Sequence, residues 1–516
     1  MYIEDTIVAV ATGMNASGIG IIRISGPRAF EIGKEIYHTK SGKTLSELES
    51  HRVYYGYIYG KNKTDFSDQM KQSSEVYSQT QLATVFDKNK RTEIAFGSLV
   101  DRQRKSLTRI NTVNDKAENL LDEVLLLPMK APKSYTAEDV VEVHCHGGQL
   151  VLRNILELIV SEGARIAEPG EFTKRAFLNG RIDLSEAESV IDVIESGNNY
   201  ALRNSLKQLT GRLSEKIDGL RKEILMETAF IEAALDDPEH ISLDGYYDRI
   251  SEKTERILSE LKKLYDSFHD GRILKDGITT VILGKPNVGK SSLLNFLSDS
   301  EKAIVTDIPG TTRDVIEERI SLGELNLLVY DTAGIRVSSD PVEKLGVERA
   351  KKYGEEADLI LFVLDSSLPM DDNDKELLDF INNKTAVILL NKSDLESVIR
   401  EEEIEAYDHG RHPIISVSVK TGEGFEKVRE VISNMFLSGE LTYNDEILIT
   451  NERHRALLGQ AIESLKNVET SIKNEMPEDF LSIDLKDAYD LLGMVLGEQV
   501  GDDLVDEIFS KFCMGK

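Results

Sequence analysis

The sequence predicts a multidomain chain of mixed α+β and α/β class. An N-terminal α/β-type domain is followed by a helical domain that an α/β domain interrupts. Three observations predict this. Apolar residues Leu202, Leu206, Leu209, Leu213, Ile217, Leu220 and Ile224 recur at three- and four-residue intervals within 185–270. The same period returns over 452–512, so two helical stretches bracket the middle of the chain. Between them lie the apolar runs 278–283, 325–330, 359–365 and 386–390, short enough and β-branched enough to be buried strands. The expected domains are 1–182, 183–275, 276–436 and 437–516, the second and fourth forming one helical domain.

In chain order, Asp5-Thr6-Ile7-Val8-Ala9-Val10-Ala11-Thr12 and Ile19-Gly20-Ile21-Ile22-Arg23-Ile24-Ser25-Gly26 read as strands, and a helix is expected from about Pro27 to Tyr37. Arg23 inside an apolar strand reads either as a salt-bridged arginine or as an anchor for an anion. Residues 61–118 are polar, lack a sustained period, and carry 11 Lys/Arg against 8 Asp/Glu. They read as a poorly ordered surface excursion between two strands, with an RNA-contacting arm as the alternative. A strand over Val140–His146 places Glu142, His144 and His146 on one face. Alternating strand positions do not wrap one tetrahedral ion without distant ligands, so the His-Cys-His run is not expected to be a metal site. A helix over 149–162 follows, then Pro169-Gly170-Glu171-Phe172 and Arg175-Ala176-Phe177-Leu178-Asn179.

The chain has 516 residues, a formal charge of −29 and two cysteines, Cys145 and Cys513. So few cysteines exclude a disulfide framework and suit a reducing, cytoplasmic setting. No run reaches the roughly 18 apolar residues of a membrane span, so no membrane role is expected. The acidic balance argues against a chain-wide basic surface for nucleic acid.

The chemistry is densest after residue 278. Strand, Gly284-Lys285-Pro286-Asn287-Val288-Gly289-Lys290-Ser291, and helix form a phosphate-binding loop in its proper context. Backbone amides through Val288, Gly289 and Ser292 can turn toward phosphate, Lys290 can reach the β- and γ-phosphates, and Ser291 can hold Mg²⁺. Thr306, Asp307, Ile308, Pro309, Gly310, Thr311 and Thr312 stand where a first switch belongs, and Thr312 can complete the Mg²⁺ shell. Asp331-Thr332-Ala333-Gly334 follows a strand and can support Mg²⁺ and meet the γ-phosphate. Asn391-Lys392-Ser393-Asp394 ends another strand, and the Asp394 carboxylate can accept from guanine N1–H and the 2-amino group together. Ser418-Val419-Lys420 closes over the base. All five elements in order indicate a Ras-like P-loop domain that binds GTP or GDP.

This domain departs from common small GTPases at Ile335, where a water-orienting glutamine usually stands. Another group must supply charge and orient water. The Asn287 carbonyl, with Thr306, the Ile308 carbonyl and Thr311, can cage a monovalent cation; a plain loop cap is the alternative for Asn287. Asp340, Glu343 and Glu348 are the carboxylates near the second switch.

These residues, together with the opening Asp5–Ala9, Ile22–Gly26, Glu138–Glu142 with His146-Gly147-Gly148, the 169–179 stretch and the end Phe512-Cys513-Met514-Gly515-Lys516, resemble the tRNA modification GTPase family MnmE (TrmE) over nearly the whole chain. The resemblance implies an N-terminal domain that holds a homodimer and binds 5-formyl-tetrahydrofolate or a related folate, with Arg23, Glu142, Arg181 and Lys516 at the matching positions. It implies K⁺ at Asn287, Thr306, Ile308 and Thr311, Mg²⁺ at Ser291 and Thr312, and a catalytic carboxylate at Glu343. Cys513 matches the family's tail cysteine, with an inert thiol as the alternative. It further implies a flavin-dependent MnmG/GidA-type partner in a heterotetramer, acting at C5 of the tRNA wobble uridine. Arg181 stands where lysine is common, and 61–118 exceeds the family's usual connection. A ribosome-assembly GTPase that binds rRNA is the rival reading, but such proteins carry a basic RNA-binding module and lack this tail.

Overall fold

The computed structural model describes residues 5–13, 15–39, 48–60, 119–242, 245–300, 316–323, 325–330, 351–437, 447–512 and 515. Two compact units emerge: residues 1–187 with 500–516, and residues 188–499.

The first unit is built on seven strands: β1 (Ile7–Val10), β2 (Ser17–Ser25), β3 (Tyr37–Thr39), β4 (Tyr54–Tyr59), β5 (Leu120–Met129), β6 (Val140–Gly147) and β7 (Arg165–Ile166). Their order is β3-β4-β5-β6-β2-β1-β7, antiparallel throughout except for β1 with β7. Helices α1 (Ala29–Ile36) and α2 (Gln149–Ser161) supply Ile32, Ile36, Leu152, Ile155 and Ile159 to a core with Ile22, Ile24, Leu126, Val141 and Val143. The strand periodicity of two sends the alternate residues Arg23, Glu142, His144 and Leu125 to the opposite face. The expected helix to Tyr37 ends one residue earlier, because Tyr37 turns extended and pairs with Ile58.

Helix α3 (Glu171–Leu178) carries the 169–179 stretch, whose polar residues are structural. Arg175 is fully buried and meets Asp5 Oδ1 at 2.6 Å, Glu171 Oε1 at 2.9 Å and Glu138 Oε1 at 3.3 Å. Arg165 grips Glu171 from the other side at 2.6 Å. Burial alone raises the Glu171 carboxyl, but the two guanidiniums and the Glu168 amide outweigh it and leave it below the usual range. Gly170 adopts φ 69°, and a Cβ there would stand 2.5 Å from the Phe509 carbonyl, so glycine lets the last helix lie against α3.

In the second unit, which begins at Glu188 within α4 (Leu184–Glu195), α5 (Asn199–Leu209) leads to a bundle of α6 (Arg212–Asp236), α7 (Tyr246–Asp266), α13 (Glu452–Lys473) and α14 (Glu478–Leu496). Its core takes Leu213, Ile217, Leu220 and Ile224 from α6, Ile250, Ile257 and Leu261 from α7, and Leu458, Leu465, Leu485 and Leu492 from the later pair. Thus the two helical stretches do fold as one body around the insertion. After α8 (Phe268–Asp276) come β8 (Ile278–Leu283), α9 (Lys290–Ser300), β9 (Ile316–Leu322), β10 (Leu325–Tyr330), β11 (Leu359–Asp365), α10 (Asp372–Ile381), β12 (Ala386–Asn391), α11 (Glu401–Asp408), β13 (Ile414–Ser416) and α12 (Phe425–Leu437). The sheet order is β13-β12-β11-β8-β10-β9, parallel except for β9 against β10. The last helix of the chain is α15 (Asp502–Ser510).

The chain enters and leaves the insertion through one tight joint. Gly271 on α8 packs where a Cβ would stand 2.1 Å from the Ile449 carbonyl. Buried Asn204 on α5 bonds both the Leu448 amide and its carbonyl at 3.0 Å, and Gln208 donates to the same carbonyl at 2.8 Å. Asn198 caps α5 and also donates to the Leu274 carbonyl at 2.9 Å. One helix thereby holds both connecting segments.

Candidate functional site: a guanine-nucleotide cleft and a cationic cluster

The parallel strands β8, β11 and β12 end on one edge of the sheet, and their following loops meet there, the usual location for a ligand in such a sheet. The phosphate loop turns through Gly284 (φ 149°), Asn287 (φ 64°) and Gly289 (φ 106°). A Cβ on Gly284 would lie 2.4 Å from the Val363 carbonyl, so the close approach of loop and β11 requires glycine. Asn287 tolerates the left-handed turn better than a bulky residue. Val288 is buried beneath the loop, while Ser291 and Ser292 open α9 at the surface. Lys290 Nζ donates to the carbonyls of Gly284 at 2.7 Å and Lys285 at 2.6 Å.

Asn391 ties the cleft together. Its Nδ2 donates to the Val288 carbonyl at 2.7 Å and its Oδ1 accepts from the Val419 amide at 3.2 Å. Phosphate loop and base-closing loop therefore share one buried amide. Ser418 Oγ donates to Asp394 Oδ1 at 2.8 Å, which holds that carboxyl ionised below the usual carboxylate range. Lys420 Nζ stands 3.5 Å from the second oxygen. Lys392, itself at φ 67°, pairs with Asp365 at the end of β11. Burial pushes the Asp365 carboxyl up, and its bonds to Lys392 and Ser367 more than reverse this. Lys285, Asn287, Asp365, Leu368, Asp374 and Lys392 are among the residues that line a cleft of about 280 Å³.

The structure thus brings together Asn287, Val288, Gly289, Lys290, Ser291, Ser292, Asn391, Lys392, Asp394, Ser418, Val419 and Lys420. Thr306, Asp307, Ile308, Pro309, Gly310, Thr311, Thr312, Asp331, Thr332, Ala333, Gly334, Glu343, Cys513 and Lys516 lie outside the described residues. Sequence reasoning missed Asp365 and Lys285. Only the three-dimensional neighbourhood pairs Asp365 with Lys392 and Lys285 with the start of α10.

In the N-terminal unit, Arg23, Glu142 and Arg181 gather round Tyr135. Arg23 Nε donates to Glu142 Oε1 at 2.8 Å, and its guanidinium lies 5.1 Å from the Tyr135 ring centre and 5.6 Å from that of Phe172. Arg181 covers the same tyrosine at 4.7 Å. The structure gives Arg23 a salt bridge to Glu142. Burial raises the Glu142 carboxyl, but His144 and Arg23 together hold it below its ordinary value. Tyr135 was not singled out from the sequence, although an aromatic residue before a polar turn is the signal that marks it. Its hydroxyl bonds Thr173 at 2.9 Å, which fixes the ring.

Cys145 points into the core beside the Gly20 carbonyl, and burial pushes its thiol up to about 12, so it is no nucleophile. Among the described residues no three His, Cys, Asp or Glu side chains stand close enough to hold a metal ion, and no helix is long and apolar enough to cross a membrane.

The profile of the MnmE helical domain matches residues 184–513, and that of the GTP-binding protein TrmE N-terminus matches 6–74 and 73–181. The tRNA modification GTPase MnmE of Lachnoclostridium phytofermentans is 48% identical over 99% of both chains, and that of Acetivibrio thermocellus 44% over 100% of both. Among solved structures, the G domain of the T. maritima FeoB iron transporter is 26% identical, covering 31% of this chain and 98% of that one, with a TM-score of 0.24. With a full-length match to these relatives, the chain belongs to the tRNA modification GTPase MnmE (TrmE) family and is a GTP hydrolase of tRNA modification.

Proposed function

We propose that the chain is a K⁺-stimulated GTPase that works with a flavin-dependent MnmG/GidA-type partner. Together they add an aminomethyl or carboxymethylaminomethyl group at C5 of the wobble uridine of certain tRNAs, with a formyl-tetrahydrofolate as one-carbon donor. The observation that carries this reading is the pairing, in one chain, of a guanine-nucleotide cleft with a second cationic-aromatic cluster around Tyr135. A GTPase that only assembles ribosomes has no use for the second.

The donor chemistry fits the groups involved. Arg23 and Arg181 suit folate carboxylates, Tyr135 offers a flat face for a pterin or aminobenzoyl ring, and Glu142 suits ring N–H donors. At the nucleotide, Lys290 meets the β- and γ-phosphates, Asp394 reads the base, and Ser291 and Thr312 are the oxygen ligands suited to Mg²⁺. Asn287, Thr306, Ile308 and Thr311 offer only neutral carbonyl and hydroxyl oxygens, a set that suits a monovalent cation. K⁺, when bound, would supply the positive charge that an arginine finger supplies in other GTPases. Glu343 is the carboxylate proposed to orient the attacking water. A homodimer through the N-terminal domain and a heterotetramer with the flavoprotein complete the proposal.

Wobble uridines from a strain lacking this chain, analysed by mass, should have lost the C5 group. Intact nucleosides with a subunit-assembly defect would favour the rRNA-binding alternative. In the purified chain, Asn287→Ala should remove the difference between K⁺ and Na⁺ in GTP turnover while GDP affinity stays within about threefold. Undiminished K⁺ stimulation in that variant overturns the cation assignment.

A further inference from the structure

The first variable position of the phosphate loop is a lysine whose charge is fully engaged. Lys285 Nζ lies 2.8 Å from Asp371 and 2.7 Å from Asp374, both at the N-terminus of α10. Asp371 caps that helix through the amides of Asn373 and Asp374, and Asp374 answers by accepting from the Asp371 amide at 3.1 Å. Asp374 is only 2% exposed, and its other oxygen has no hydrogen-bond partner among the described residues. A buried carboxylate with one empty oxygen depends heavily on the single cation that meets it.

The backbone of the same residue holds the phosphate-binding lysine. Lys290 Nζ donates to the carbonyl of Lys285 and to that of Gly284 beside it. Those two carbonyls help fix where Nζ stands. Their own place depends on what grips residue 285. On one side Gly284 is pressed against the Val363 carbonyl; on the other the Lys285 side chain is anchored to α10.

We infer that Lys285 is a positioning residue: its ion triad with Asp371 and Asp374 anchors the start of the phosphate loop to α10 and thereby sets the place of Lys290 against the β- and γ-phosphates. The inference rests on the reading of this loop as the nucleotide site and adds a residue to it. It concerns the phosphate half of the ligand, because that reading places guanine against Asp394 and Ser418 on other loops.

The test separates the two halves of the nucleotide in the full-length chain, by competition against a fluorescent GDP. Lys285→Met should weaken GDP by about tenfold, the scale of one charge-assisted hydrogen bond displaced, and leave GMP, which lacks the β-phosphate, within about twofold. Lys285→Arg, which keeps the charge, should recover most of the loss. Asp374→Asn, which leaves Lys285 intact, should reproduce the GDP-selective defect, so that the result does not hang on one variant. Equal weakening of GDP and GMP would mean that the triad only maintains the fold, and overturns the inference. Unchanged GDP affinity in both variants overturns it as well. Lys290→Met serves as reference: if it binds GDP like the wild type, the nucleotide site itself has been misread, whereas a GDP defect in Lys290→Met with none in Lys285→Met faults only the role of Lys285.

Discussion

In the proposed nucleotide site, selectivity for guanine rests on one carboxylate and what keeps it ionised and aimed. Asp394 sits on the turn after β12, and the Ser418 hydroxyl occupies one of its oxygens from the loop that closes the pocket. The Ser418 amide is in turn bonded to the Glu423 carbonyl at 3.1 Å, so the hydroxyl is delivered from a closed turn. An ionised carboxylate only accepts, and the Watson–Crick edge of guanine offers two adjacent donors. Asp394→Asn replaces one acceptor by a donor. GDP affinity should then fall by about a hundredfold or more, while xanthosine diphosphate, whose ring carbonyl replaces the 2-amino group, should gain. Competition of the two diphosphates against a fluorescent analogue measures the exchange. A variant that still prefers GDP would mean that Asp394 does not read the base.

At the scale of elements, the helical body is locked by a charged contact among helices distant in sequence. Glu188 on α4 is buried and receives Arg453 Nη2 at 2.8 Å and His454 Nε2 at 2.7 Å from α13. Arg453 also donates to the carbonyls of Met494 and Val495 at the end of α14. Burial raises the Glu188 carboxyl, but His454 and Arg453 outweigh it and bring it down to about 2. A depressed carboxyl contributes stability that is fully present above its unfolded value of 4.5 and is lost as pH falls toward about 2. The wild type should therefore outlast Glu188→Gln in thermal unfolding near neutral pH, and the gap should close between about pH 4.5 and 2. A gap that stays constant across that window would remove the ionised pair from the account. This lock also marks how far the sequence could be read. Period and loop chemistry are local properties, so the bundle helices, the parallel strands and the phosphate loop were legible. Contacts such as Glu188 with Arg453, or Arg175 with Asp5, join residues far apart in sequence, and nothing in the local pattern names the partner. The 169–179 stretch was legible as a marker, but its role as a buried ion network became visible only when β7, α3 and the N-terminus met. The cluster at Tyr135 was legible in three of its residues because the family resemblance supplied them, and not in the tyrosine that organises them.

At the scale of the whole molecule, charge constrains how the proposed RNA substrate is held. A formal charge of −29 spreads over 516 residues, with 91 Asp/Glu against 62 Lys/Arg. Some of the cation that does exist is committed internally: Arg175, Arg165, Arg221 and Arg453 all lie in ion pairs with carboxylates. Affinity for tRNA scales with the number of phosphates neutralised, and each contact releases counterions, so the logarithm of affinity falls with that of salt in proportion. A chain with this excess of carboxylates neutralises few phosphates. Alone, it should bind labelled tRNA weakly, with a slope of about −2 or shallower between about 50 and 200 mM salt. In the proposed complex with the flavoprotein, the slope should steepen to about −5 or beyond, because the partner then supplies the positive field. Fluorescence anisotropy on both samples gives the two slopes directly. A steep slope for the isolated chain would place the tRNA-binding surface on this protein after all, and the mildly basic 61–118 segment, outside the described residues, would be the first stretch to delete.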